Sequence, residues 1–297
     1  MMCRITPTAL ALALFLSTHL HGEEKPVVHT VNYPLHYFAD RIAGDLIDLQ
    51  FLAPAEGDPA FWKPSDKEVA AMQQADLLLL NGADYAKWTS NVTLPRSILI
   101  DTAEGFEDDF IIIKDAVKHS HGDGHVHSHD GIAFTTWLDM TQARKHAEAI
   151  HEALVSELPE AKEKLDENAA ALFADLAELD TALKKEGERL DGTALLGSHP
   201  VYHYLSRRYG FAIESLHWEP DVVPDEEALA ELDKKNEDHG ARWMLWEGEP
   251  ASDSVELLEE RDISSVVFDP TGNRPGEGDW LSVMRANVKA LQSITGG

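Results

Sequence analysis

The stretch 159-PEAKEKLDENAAALFADLAELDTALKKEGERL-190 sets the architecture. Pro159 suits a first helical turn, where its missing N–H costs nothing. Leu165, Ala169, Leu172, Leu176, Leu179 and Leu183 then step by four and three. That spacing predicts one apolar stripe on a helix of about 25–30 residues, roughly 40 Å long at 1.5 Å per residue. Gly187 and Gly192 read as its end. A coiled coil would carry a similar stripe, but the flanking sequence makes the helix more simply a rigid rod between two units.

Both flanks alternate strand-like runs with helical periods. On the N-terminal side, β-branched residues 27–32 precede YPLHYFADRIAGD (33–45), where Leu35, Phe38, Ala39 and Ile42 recur at helical spacing. IDLQFL (47–52) reads as a strand, SDKEVAAMQQ (65–74) as a Ser-capped helix, and ADLLLL (75–80), SILID (97–101) and DFIII (109–113) as buried strands. On the C-terminal side ALLGS (194–198), FAIES (211–215), RWMLW (242–246) and SSVVF (264–268) are strands separated by helical stretches. Between 140 and 190 there is no strand signal. The expected fold is α/β, with two lobes of parallel sheet flanked by helices and joined by the long α-helix. The expected boundaries are an N-terminal lobe at 23–139, a linking helical segment at 140–190 and a C-terminal lobe at 191–297. Ligands collect at the carboxyl ends of strands in such sheets, which places a site in the cleft between the lobes.

Composition narrows the partners. With 53 acidic residues against 25 basic, the formal charge of −28 argues against nucleic acid or an anionic membrane surface. Residues 1–22 carry Arg4, an apolar run too short to span a bilayer and then a polar stretch, the layout of a secretory signal peptide. Cys3 is the only cysteine and lies inside that segment. The mature chain would therefore have no thiolate, and any metal would be held by imidazole or oxygen. No later segment approaches membrane-spanning length.

Chemistry gathers just after the strands. Glu56 and Asp58 follow the second strand, His199 follows ALLGS, and His217, Glu219 and Asp221 follow FAIES. Glu247 and Glu249 follow RWMLW, and Asp269 closes SSVVF. Each alone reads as a cap or a turn; their joint placement points to a site. Histidine and carboxylate without thiolate suit zinc, manganese or iron. There is no HExxH, GxSxG or phosphate-cradling GxxxxGK, and no nucleophile has a base at sensible spacing. One further feature is KHSHGDGHVHSHDG (118–131), where His119, His121, His125, His127 and His129 crowd a segment without Leu, Ile or Phe. It reads either as a flexible cation collector or as a solvated linker whose histidines do nothing.

The order of these segments resembles the zinc/manganese solute-binding proteins of bacterial ABC importers, the cluster A-I group. The matching segments are YPLHYFADRIAGD, GDPAFWKPSD (57–66), QADLLLLNG (74–82), TTWLD (135–139), the long helix with Asn168, SHPVYHYLSRRYG (198–210), EGEP (247–250) and FDPTG (268–272). The resemblance implies a metal held between the lobes by three histidines and a carboxylate. It maps one histidine to His199 and the carboxylate to Asp269. The other two histidine positions fall on Ala60 and Thr135. It also places the His-rich loop 118–130 between those two positions.

The resemblance therefore implies an extracytoplasmic, monomeric binding protein that captures a divalent metal, zinc before Mn2+ or Fe2+, and delivers it to an ABC permease. His199, Asp269 and Asp58, with one or two of His217, His119 and His121, are the expected ligands, and His125, His127 and His129 an auxiliary loop. The rival readings are a secreted metal-dependent hydrolase with an open coordination position, and a metal-buffering or adhesin-like binding protein.

Overall fold

A computed structural model describes residues 25–113, 118–120, 126–128 and 131–295, with backbone alone at 118–120 and 126–128. Residues 1–22, expected to be a signal peptide, lie outside the described residues. The first lobe holds β1 (Val27–Thr30), α1 (Tyr33–Ala43), β2 (Asp48–Gln50), α2 (Asp66–Met72), β3 (Leu77–Leu80) and β4 (Leu99–Asp101). Its strands are all parallel, in the order β2-β1-β3-β4. Local chemistry places the helices. Asn32 caps α1 by accepting the Leu35 amide at 3.1 Å, with Pro34 in the first turn. Ser65 and Glu68 cap α2 reciprocally, satisfying two amides the helix itself leaves open.

Next come two short antiparallel pairs. β5 (Ile112–Ile113) lies beside β8 (Gly131–Ile132), and β6 (Lys118–Ser120) beside β7 (Val126–Ser128). α3 (Met140–Glu157) and α4 (Lys162–Arg189) follow. The second lobe holds β9 (Ala194–Gly197), α5 (His203–Tyr209), β10 (Ala212–Ser215), α6 (Glu226–His239), β11 (Trp243–Trp246), α7 (Ser252–Glu259), β12 (Ser264–Val267) and α8 (Trp280–Leu291). Its strands are again parallel, in the order β10-β9-β11-β12.

The long helix α4 has 28 residues, and its predicted stripe from Leu165 to Leu183 is at most 2% exposed. One continuous core runs from Val28 through that stripe to Ile294, so the rod is shared by both lobes. Polar ties reinforce the sharing. Asp175 of α4 meets Arg41 of α1 at 2.7 Å and Arg285 of α8 at 3.2 Å. Asp180 takes the Arg208 guanidinium of α5 through both its oxygens.

Three readings change in detail. Gly187 does not end α4 but lies inside it: a Cβ there would sit 2.0 Å from the Tyr209 carbonyl oxygen, so the glycine is a point of close approach between α4 and the end of α5. DFIII is not a buried sheet strand. Only Ile112–Ile113 is strand, it pairs antiparallel with β8, and Ile112 is exposed. An apolar run of that length has no periodicity to tell which sheet it joins. The His-rich segment is also not wholly irregular, since His119 lies opposite His127 across a two-stranded ladder.

Candidate metal centre

The cleft between the lobes encloses a cavity of about 750 Å3. Its wall is built from loops that leave sheet strands at their carboxyl ends. Asp58 lies beyond β2, His199 beyond β9, Glu219 beyond β10, Glu247 directly after β11 and Asp269 beyond β12. His199 is set by backbone around it: the Ser198 amide donates to the Leu245 carbonyl at 2.8 Å, and the Trp218 amide donates to the Ser198 carbonyl at 2.7 Å. Those two bonds tie the start of the loop after β9 to β11 and to the loop after β10. They bring His199 Nδ1 to 3.7 Å from Glu219 Oε1 and 3.7 Å from Glu247 Oε1.

One donor atom from each of these three residues lies within 4.8 Å of the others. An ion with bonds near 2.1 Å in tetrahedral geometry needs donors about 3.4 Å apart, so a small contraction closes the set. Asp269 stands on the same wall. Its oxygen accepts the Thr271 amide at 2.6 Å, and its own amide and carbonyl are both held by the Asn287 side chain. Thr271 adopts φ +57°, a conformation unusual for a β-branched residue and one that this bonding sustains.

The first lobe supplies Asp58, which accepts the Ala60 amide at 2.8 Å. Asp58 keeps surface open to the cleft, yet the walls crowd its carboxyl. Loss of water there pushes it up to about 6; the Ala60 bond opposes the shift and Glu219 adds to it. Burial likewise raises Glu247 well above the carboxylate range, reinforced by Glu219, Asp58 and Asp269. Asp269 is raised as well, again by burial first. Carboxyls that hold protons for want of a countercharge are what a divalent cation would discharge.

The two positions without histidine are accounted for. Ala60 is buried beneath Asp58, and Thr135 donates its hydroxyl to the Val201 carbonyl at 2.6 Å, tying the lobes together. Next to it, Thr136 meets the buried His146 at 2.8 Å, and Thr102 holds the other ring nitrogen at 2.6 Å. Burial drives His146 down to about 3, so it is a neutral brace for this segment.

The expected ligands are only partly gathered. His199, Asp58 and Asp269 share the cleft. His217 has its ring 5.9 Å from that of His199 but opens on a neighbouring cavity with His203 and Arg207. The side chains of His119 and His127 are not described, and His121, His125 and His129 lie outside the described residues. Glu219 and Glu247, which follow strands but are not among the expected ligands, each come within 3.7 Å of His199. Glu249 and Glu56 are exposed, and neither lines this cavity. The available signal was position: Glu247 immediately follows β11, in the middle of the sheet.

Comparison with known proteins bears on the family and the fold. The family model described as "ZnuA: Zinc-uptake complex component A periplasmic" matches residues 27–294. The zinc-binding lipoprotein AdcA of Streptococcus pneumoniae strain R6 is 29% identical over 303 residues, covering 95% of this chain. The chain spans only 59% of that relative's length. The high-affinity zinc uptake system protein ZnuA of Bacillus subtilis is 25% identical, with 91% of this chain and 88% of that protein covered. Among solved structures, the Zn(II)-bound ZnuA-like domain of S. pneumoniae AdcA superposes with a TM-score of 0.74 at 24% identity, covering 90% of this chain and 98% of that one. At that identity the likeness speaks for the fold.

Proposed function

The chain belongs to the periplasmic zinc-uptake component A family, and from that premise we propose that it captures a divalent metal ion, zinc before manganese or iron, in the interlobe cleft and hands it to an ABC permease. The observation that carries the reading is the convergence of His199, Glu219 and Glu247 on one point, with Asp58 across the cleft and Asp269 beside them. One imidazole among carboxylates is a hard-to-borderline donor set, so zinc would bind with less margin over manganese than at a site of three histidines.

The mechanism is binding and release without turnover. His199 supplies nitrogen, Glu247 and Glu219 supply charge from the second lobe, and Asp58 closes the set from the first. Of the imidazoles expected from the sequence, His217 and one of His119 or His121 remain as additional donors. The rest of the His-rich segment acts as a collector. We take the lobes as 23–139 and 191–297, with 140–190 between them. The location is extracytoplasmic and the protein monomeric. Among the described residues no helix is long and apolar enough to cross a membrane.

Titration of metal-free protein with zinc tests the reading. One tight site, weakened at least a hundredfold by His199→Ala, is expected. Weak binding that survives His199→Ala and disappears when 118–130 are deleted would instead make the chain a metal buffer.

A further inference from the structure

The loop that brings Asp58 to the cleft has little of its own to hold it. Residues 54–58 are exposed, have no regular structure and turn at Gly57 with φ +86°. What fixes them comes from the other lobe. The Asn273 side-chain amide donates to the carbonyls of Pro54 at 2.9 Å, Ala55 at 3.3 Å and Gly57 at 2.9 Å. Beside it, Arg274 donates to the Phe51 carbonyl at 3.2 Å and stacks over the Phe51 ring at 4.9 Å.

Asn273 lies four residues after Asp269, on a turn that is itself held. The Pro270 carbonyl accepts from Trp137 at 2.7 Å and the Gly272 carbonyl accepts the Tyr33 amide at 3.0 Å. One short segment thus carries a carboxylate of the second lobe's wall and the amide that grips the first lobe's donor loop. The Arg207 bond to the Asp109 carbonyl is another exposed tie between the lobes, but several others differ in kind. Those of Thr135, Trp137 and Tyr204 are buried at the cleft floor, whereas the Asn273 bonds are exposed at the rim. Water competes for exposed bonds, so local opening occurs there before the floor gives way.

We propose that Asn273 is a positioning residue that latches the 54–58 loop over the cleft, and that the opening of this latch, not rotation of the lobes, sets how fast bound metal leaves. The proposal rests on the reading that the cleft holds metal through Asp58. Asn273 touches no ion; it acts by keeping the Asp58 carboxylate within reach.

The test compares Asn273→Ala and Asn273→Asp with wild type in three measurements: zinc release into excess chelator, equilibrium zinc affinity, and amide hydrogen exchange of 55–61 in metal-free protein, where the Ala60 and Phe61 amides bond to Asp58. Both variants are expected to release zinc about tenfold faster, the factor that ~1.4 kcal/mol of lost hydrogen bonding represents, and to lose exchange protection in the loop. The Asp variant keeps the shape, lacks the donors and sets a negative charge against the three carbonyls, so it should release zinc at least as fast as Ala does.

In an Asp58→Asn background, which keeps the acceptor for the Ala60 amide but removes the charge, Asn273→Ala should have almost no further effect on affinity. An equal loss with and without Asp58 would make Asn273 merely structural, and unchanged release would also overturn the proposal. If His199→Ala binds zinc as tightly as wild type, the cleft reading itself fails. The exchange measurement then still judges the latch, because equal protection in wild type and Asn273→Ala would exclude it.

Discussion

Glu247 is the residue whose surroundings say most about the site. It follows the last residue of a central strand and stands half-buried between His199 and the other cleft carboxyls, so its charge has no cheap solution without a cation. Glu247→Gln should weaken zinc binding about ten- to a hundredfold while leaving the metal-free protein as stable or more stable, measured by titration and thermal unfolding. The pH dependence has a definite sign. Asp58, Glu247 and Asp269 all hold protons more tightly in the folded chain than the ordinary carboxylate range near 4. Metal-free protein therefore loses stability as pH rises from about 4 through about 6. Zinc must displace those protons, so its affinity should climb by up to about tenfold per pH unit for each proton released across that window. Calorimetry at pH 5 and 7 in two buffers of different ionisation heat would measure it; an affinity that is flat or falls with pH would contradict the site.

At the scale of elements, the four-and-three spacing of Leu165 through Leu183 was sufficient to read α4, because a helix buried along one stripe must repeat that way. Gly187 was misread for an equally physical reason: a glycine inside a helix and one that ends it look alike until the neighbour it admits is known. Asp58, His199 and Asp269 could be placed in the cleft because each follows a strand in sheets whose carboxyl ends face one another. Which oxygen stands nearest His199 was not legible, since it depends on the bonds that tie the loop after β9 to β11 and to the loop after β10. Two stability predictions belong here. Leu172→Ala should cost about 2–5 kcal/mol in denaturant unfolding, the usual range for a leucine removed from a packed core. Gly187→Ala should also destabilise the protein, by prising the end of α5 from α4, since the Tyr209 carbonyl cannot be accommodated 2.0 Å from a methyl group.

Over the whole molecule, the core shared through α4 and the ties of Asp175 and Asp180 leave little freedom for the lobes to rotate. Metal-free and zinc-loaded forms are expected to superpose, with change confined to the cleft rim; a rotation of tens of degrees in small-angle scattering or crystals would refute this. The surplus of acidic residues favours approach of any cation, so selectivity must come from the cleft and not from the surface field.

The most direct measurement is a crystal structure of zinc-loaded protein with anomalous scattering collected across the zinc edge. The expected result is one strong peak in the cleft within about 2.0–2.2 Å of His199 and a Glu247 oxygen, with Asp58 facing it from the first lobe. Zinc found only along the His-rich segment, with the cleft carboxylates unengaged, would contradict the assignment of this site.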